Sequence, residues 1–492
     1  MKKIFTSILG IIFIFFLFSK GTRQINSPNP SGKTAAITHD DTGPYIWPTD
    51  TAVLNKLQQW QDWKFGVIIH WGPYSQWGVV ESWSLCPEDE SWCIRRGPYA
   101  DDYNQYVSEY EKIRTYFNPD KFNPEKWADA CKKAGMKYLV FTTKHHDGFC
   151  MFDSKYTDYK ITGKDCAFAP NPKSNVVKEV FSAFREQGLG IGAYFSKPDW
   201  HCNDYWWPYF PTRDRNVNYD PKKHPEKWEG FKKYTYNQVE ELMSEYGSID
   251  ILWLDGGWVR PLTPEEIAEK RRFNQDIDIA GIAEMARIHQ SGLLVVDRAV
   301  GGEHENYRTP EQQIPDVIPD YPWESCITLC DNWYSTGPGE RYKSVYWAIH
   351  TLVKIVARGG NFLLGIGPDK TGEMVPEVYQ RLEEIGKWMD VNSEAIYNTK
   401  PLEPYREGKF CFTRSKDGKI RYAIYLVDEG ATLQREMVIP EIFVAQSTEL
   451  GLLGHEGKLQ VRDWKGENTI QLPQDFLEQY AGTPAVVLWT SE

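Results

Sequence analysis

In "KYLVFTTKHHDGF" an apolar run starting near Tyr138 stops abruptly at His145, His146 and Asp147, three titratable groups in a row. The arrangement recurs along the chain: an apolar stretch ends in a polar group at His70 in "GVIIHWG", Tyr194 in "IGAYFS", Asp255 in "ILWLDGG" and Arg298 in "LLVVDRAV". Asp255 is followed by two glycines, which leave the backbone open to close approach by a ligand. A turn or helix-cap role is its alternative. Asp250 shares the segment but stands at its start, on the opposite face, where a structural role is expected. A second carboxylate is available from Glu303, Glu305, Glu311 or Glu324, all within the irregular, Pro-rich "GGEHENYRTPEQQIPDVIPDYPWESC".

Two carboxylates on facing loops can cleave a glycosidic bond, one attacking or activating water while the other protonates the leaving oxygen. The histidines admit three chemistries. Zinc ligation is disfavoured by spacing: the first apolar run ends in one histidine where barrel metallohydrolases usually show H-x-H. In a continuing strand His145 and His146 would point to opposite sides. The chain has no CxxC and no HExxH, so no metal is expected. The second chemistry is that of hydrogen-bonded core histidines, and the third is neutral imidazoles exchanging hydrogen bonds with sugar hydroxyls.

The elements that would position these groups share one pattern. "NPEKWADACKKAGMKYLVF" starts with an Asn cap and Pro124, sets Trp127, Ala130, Cys131 and Ala134 at helical spacing, stops at Gly135 and becomes a strand. "SNVVKEVFSAFREQGLGIGAYFS" and "NQVEELMSEYGSIDILWLDGG" repeat it. Helix, glycine and buried strand in alternation predict a parallel sheet. With "KFGVIIHWG", "GLLVVDRAV" and "GGNFLLGIGP" as further strands, the α/β fold expected is a (β/α)8-like barrel, whose strand C-termini converge on one mouth. No GxGxxG follows a strand, which removes support for a dinucleotide fold. After about Asn398 the texture changes to short β runs, as in "KFCFTRSKDGKIRYAIYLVDE", and predicts a small antiparallel β-sandwich. The expected domains are a barrel over 45–397 and a sandwich over 398–492.

The net charge of -12, without a basic run, argues against nucleic acid as a partner. "MKKIFTSILGIIFIFFLFSKG" pairs two lysines with an apolar run too short to span a bilayer, which reads as a signal peptide over 1–21 and predicts a secreted or periplasmic protein without stable membrane insertion. A polar spacer follows over 22–44. Nine cysteines do not make a disulfide framework; Cys86 and Cys93 could bridge in an oxidising compartment, whereas Cys131 reads as a small core residue.

Taken in order, "FGVIIHWGPYS", "KYLVFTTKHHDGF", "DILWLDGG", "VVDRAV", "NYRTPEQ" and "PWESC" make the chain resemble the α-L-fucosidases of glycoside hydrolase family 29 over nearly all of its mature length. The resemblance implies a retaining exo-glycosidase with no metal or other cofactor, acting on a fucosylated oligosaccharide or glycan. It puts the nucleophile on Asp255 and fucose contacts on His70, His145, His146, Tyr194, Trp253, Arg298 and Trp333. Many members carry a contiguous Glu-Trp after the first strand. This chain has "VESWSLCPEDESW" instead, so Trp83 takes that role and Glu81 is left open. The T-P-E pattern points to Glu311 as acid/base, with Glu324 structural and Asp147 bracing its turn. The alternatives are a member restricted to α-1,3/1,4-linked fucose and a non-catalytic fucose-binding relative.

Overall fold

Alternate residues of seven buried strands face a common interior, and that alternation aims the polar groups at their ends. The computed structural model describes residues 42–491 except 88, 270, 271, 338, 445–448 and 465. The signal peptide and nearly all of the spacer lie outside the described residues. The strands are β1 (Phe65–Ile69), β2 (Tyr138–Lys144), β3 (Gly190–Ser196), β4 (Ile251–Asp255), β5 (Leu294–Asp297), β6 (Glu324–Thr328) and β7 (Asn361–Ile366). They run parallel in the order β5-β4-β3-β2-β1-β7-β6. Ile68, Tyr138, Val140, Tyr194, Ile251, Trp253, Val296, Cys326 and Leu363 fill the interior. Their neighbours Val67, Leu139, Ile191, Leu252, Leu254, Val295 and Leu364 pack outward under the helices. Each fully buried aliphatic side chain among them contributes about 1.5–3 kcal/mol of transfer free energy. Gly66 makes room for this packing, since a Cβ there would lie 2.5 Å from the Tyr138 ring.

Below the barrel, the helix Thr51–Trp63 is capped by Asp50, whose carboxylate accepts from the Ala52 amide at 2.7 Å. Its Val53, Leu57 and Trp60 close the bottom of the interior, with Trp60 stacked on Tyr307 at 3.9 Å. The predicted helices are Pro124–Lys133, Val176–Glu186 and Pro225–Glu245, the last starting well before the sequence pattern suggests. The eighth stave of the barrel is irregular. Between β5 and β6, the chain around 304–312 bonds antiparallel to β5 (Asn306 amide to Val295 carbonyl, 2.9 Å) and parallel to β6 (Glu324 amide to Arg308 carbonyl, 2.8 Å).

The C-terminal part is antiparallel, with strands β8 (Thr399–Glu407), β9 (Phe410–Ser415), β10 (Ile420–Leu426), β11 (Glu436–Val438), β12 (Glu449–Leu452), β13 (Arg462–Trp464), β14 (Glu467–Gln471) and β15 (Ala485–Ser491). One sheet has the order β12-β15-β10-β9-β8 and the other β11-β14-β13. The larger sheet is buried on both sides. Phe412, Ala423 and Leu488 face the sandwich core, while Cys411, Ile424 and Val487 join the core beneath the barrel helices. Among the described residues no helix is long and apolar enough to cross a membrane.

Candidate active site

Because Ile251 and Trp253 point inward, so does Asp255 two residues on, the last residue of β4. Gly256 follows with φ 91°, a conformation that suits glycine. The same logic carries Val296 inward and Arg298 with it, just beyond β5. The Asp255 carboxylate accepts from Tyr194 Oη at 2.6 Å and from Arg298 Nη1 at 3.0 Å. Burial alone would raise its pKa, but Arg298, the Tyr194 hydroxyl and the Gly256 amide outweigh burial and hold the carboxyl well below the usual range. The second terminal nitrogen of Arg298 binds Glu311 Oε2, and its Nε donates to Thr309 Oγ1 at 3.1 Å. One guanidinium therefore spans both carboxylates, and its carbon also lies 4.8 Å from the Trp253 ring beneath.

The histidines correct the alternation argument. β2 ends at Lys144, so His145 and His146 sit in a turn, not a strand, with ring centroids 4.2 Å apart and both facing the mouth. Together with Asp255 they place one ligand atom each within 4.8 Å of one another. The chemistry of the set still fits a metal poorly. Both Asp255 oxygens already accept hydrogen bonds, and Arg298 supplies the cation at that carboxylate.

Hydrogen bonding fixes the tautomer of His146. Ser196 Oγ gives its hydrogen to the Pro198 carbonyl at 2.8 Å, so it can only accept from His146 Nδ1 at 2.6 Å. His146 Nε2 is then a bare acceptor. Ser82 Oγ accepts from the Asp147 amide at 3.1 Å and pairs with His145 Nδ1 at 2.6 Å, where the hydroxyl can serve as donor or as acceptor. Burial keeps the rings neutral, lowering His145 to about 4 and His70 and His146 well below their ordinary value. His70 Nδ1 is buried without a hydrogen-bond partner, and its ring lies 4.7 Å from Trp333. Trp83 closes the other side, 5.3 Å from His146.

Asp147 braces its turn, accepting from Tyr110 Oη at 2.7 Å and from the Phe149 amide at 3.1 Å. Asp250 is structural too, bonded to the Ile191 amide at 2.8 Å and to Lys56. Of the other candidate carboxylates, Glu305 bonds the Ala299 amide at 2.8 Å and Glu303 is exposed. Glu324 lies inside the barrel, accepting from Tyr138 Oη at 2.5 Å and Trp253 Nε1 at 3.3 Å, and burial raises it to about 7.

Glu81, left open by the sequence, is buried at the mouth. Its φ of 33° is strained for a side-chain-bearing residue, and its Oε1 has no protein partner. Burial first, and then the nearby Glu311, push its pKa up to about 8. Sequence reasoning also missed Ser82 and Ser196, which carry no periodic or motif signal, and the residues of the long β3 connection, Trp200 and Arg215. Two buried ion pairs brace the strand ends here, Lys144 with Asp199 at 3.1 Å and Lys197 with Asp297.

Comparison with known proteins agrees with this geometry. The family model described as alpha-L-fucosidase matches residues 33–394. The tissue alpha-L-fucosidase of Bos taurus is 30% identical over 378 residues, 74% of this chain and 73% of that protein. Among solved structures, alpha-L-fucosidase isoenzyme 1 from Paenibacillus thiaminolyticus is 28% identical with a TM-score of 0.69, covering 90% of this chain and 99% of that one. The Thermotoga maritima alpha-fucosidase in complex with fucose is 26% identical with a TM-score of 0.67, covering 90% and 100%. With a match over most of its length and a mouth of this composition, the chain belongs to the α-L-fucosidase family of glycoside hydrolases, family 29.

Proposed function

We propose that the protein is a retaining exo-α-L-fucosidase that removes terminal α-linked L-fucose from oligosaccharides or glycans, with Asp255 as nucleophile and Glu311 as acid/base. The observation that carries this is the Arg298 guanidinium held between the two carboxylates. It keeps them within one side chain's span, in keeping with the separation of about 5–5.5 Å that a retaining pair needs. Asp255, kept ionised, attacks the anomeric carbon while Glu311 gives a proton to the leaving oxygen. Glu311 then takes a proton from water as that water displaces the sugar from Asp255. His146 accepts from one sugar hydroxyl and His145 pairs with another. His70, Glu81, Trp83 and Trp333 line the remaining mouth, while Tyr194 and Trp253 form its floor. The N-terminal leader supports export to a secreted or periplasmic location.

The deciding experiment is Asp255→Gly. It should abolish turnover, and azide should restore cleavage of an activated aryl α-fucoside with β-fucosyl azide as product. If the wild-type enzyme first releases β-fucose, retention is wrong and the roles must be reassigned.

A further inference from the structure

Trp83, Trp200 and Trp258 surround His146, with ring centroids at 5.3, 5.1 and 5.3 Å. Trp200 is tied to that histidine through the backbone, its amide donating to the His146 carbonyl at 2.8 Å. Trp83 and Trp258 reach the ring from elsewhere, one from the 3₁₀ turn Glu81–Leu85 and the other from the loop after β4. Both lie beyond their strand ends, outside the ladders of the barrel, so side chains must fix them relative to β2. Arg215, from the connection after β3, is placed to act on both. Its guanidinium lies over the Trp83 ring at 4.8 Å and the Trp258 ring at 5.1 Å. Its Nε binds Asp89 Oδ2, its Nη2 binds Glu90 Oε1 at 2.6 Å, and its amide donates to Asp89 Oδ2 at 3.3 Å. Its carbonyl accepts from the indole nitrogens of Trp258 at 3.2 Å and Trp200 at 3.3 Å, and from Tyr205 Oη at 2.9 Å.

We propose that Arg215 is a positioning residue for the sugar site: clamped by Asp89 and Glu90, it holds Trp83 and Trp258 against His146 and so sets the width of the mouth there. An exposed ion pair would carry little weight. The Arg215 side chain, however, is only 17% exposed and serves two carboxylates and two rings at once. Arginine suits the task, since its planar fork bonds carboxylates at its edge while its faces pack on indoles. Asp89 and Glu90 are adjacent like charges that follow Trp83 closely in the chain. Without the cation between them they repel, and the segment that carries them is free to draw Trp83 away from the histidine. The bonds of the Arg215 side chain go to Asp89 and Glu90 and to neither carboxylate of the mouth. Its loss should therefore weaken sugar binding and spare the chemical step.

This inference rests on the fucosidase reading, in which His146 bonds a sugar hydroxyl. On the full chain, KM and kcat for a nitrophenyl α-L-fucoside are measured together with Kd for L-fucose by calorimetry. Arg215→Met should raise KM and Kd together by roughly five- to twentyfold, the worth of two cation–π contacts, and change kcat less than about twofold. Arg215→Lys, which keeps a cation over the rings without the fork, should recover part of the loss. Asp89→Asn with Glu90→Gln should reproduce most of it with the arginine still in place. Adding Arg215→Met to that pair should cost less than about twofold more, because residues acting as one unit are not additive. An Arg215→Met enzyme with unchanged KM and Kd overturns the proposal, as does one whose kcat alone falls, or three substitutions whose effects simply multiply. If Arg215→Met does not fold, the Asp89→Asn, Glu90→Gln pair decides by the same KM and Kd. A wild type that binds no fucose refutes the fucosidase reading, and the inference falls with it. A wild type that binds fucose while the variants match it refutes the inference alone.

Discussion

Replacing Arg298 with methionine removes the one cation that serves both carboxylates of the mouth and leaves them facing each other. The sign of the effect follows from Asp255, whose carboxyl is held below its ordinary range against the opposing pull of burial, chiefly by this arginine. Its side chain is 17% exposed, so solvent screens the pair only weakly. At an effective dielectric constant of about 20, unit charges about 4 Å apart interact by about 4 kcal/mol. That corresponds to roughly three pH units. With the arginine gone, one carboxyl retains a proton to a higher pH, as in other close carboxylate pairs. In the proposed mechanism Asp255 must be ionised to attack, so activity should now be lost as pH falls through the raised value. In kcat/KM for a nitrophenyl α-L-fucoside measured from the lowest pH at which the protein stays folded up to pH 8, the acid limb should move up by about two to three units, from below the usual carboxylate range into or above it. Arg298→Lys, which keeps the charge without the fork, should shift the limb far less. A folded methionine variant whose acid limb stays in place, with only KM raised, would refute the assignment of Asp255 as the ionised nucleophile.

Glu311→Ala should slow oligosaccharide hydrolysis far more than the first step on a nitrophenyl fucoside, because a good leaving group departs unprotonated. If Glu324→Ala shows that leaving-group dependence instead, the carboxylate pair must be redrawn. Ser196→Ala removes the acceptor that fixes the His146 tautomer, a net hydrogen-bond loss of about 0.5–1.5 kcal/mol. KM should therefore rise about two- to tenfold with kcat little changed, and a fall in kcat at constant KM would contradict the binding role. Activity should survive exhaustive chelation; a loss restored by added zinc would turn His145, His146 and Asp255 into ligands.

The parts of this site that announce themselves are those at the ends of uninterrupted apolar strands. Asp255 and Arg298 follow directly from the alternation of Ile251, Trp253 and Val296, and Tyr194 from its place in a glycine-rich strand. β6 escaped notice because "ESCIT" begins with a charged residue that only a closed barrel, with Tyr138 and Trp253 waiting, can bury. The histidine pair was legible as a polar cluster at the end of an apolar strand, but its orientation was not. That depends on β2 stopping at Lys144, and although Asp147-Gly148 marks a turn, nothing in "TTKHHDG" fixes the residue at which the strand gives way to it. Ser82 and Ser196 are beyond sequence reasoning of this kind, since what matters is which neighbour takes a hydroxyl hydrogen. Glu81 is similar: its importance lies in a strained backbone and an unpartnered oxygen, neither of which has a compositional trace.

The irregular stave between β5 and β6 has a bearing on cooperativity. Elsewhere the barrel is knit by strand ladders in which each hydrogen bond supports the next, whereas this segment is tied by isolated bridges, antiparallel on one side and parallel on the other. Amides at Asn306 and Gln312 should therefore exchange with solvent deuterons ahead of those in β1 to β4, through local openings that leave the other strands intact. Glu311 rides on that seam while Asp255 is anchored in a ladder. On the proposed assignment the two carboxylates thus belong to parts of the molecule held by different kinds of pairing, which would let the proton donor adjust to departing groups of different size without disturbing the strand that carries the nucleophile.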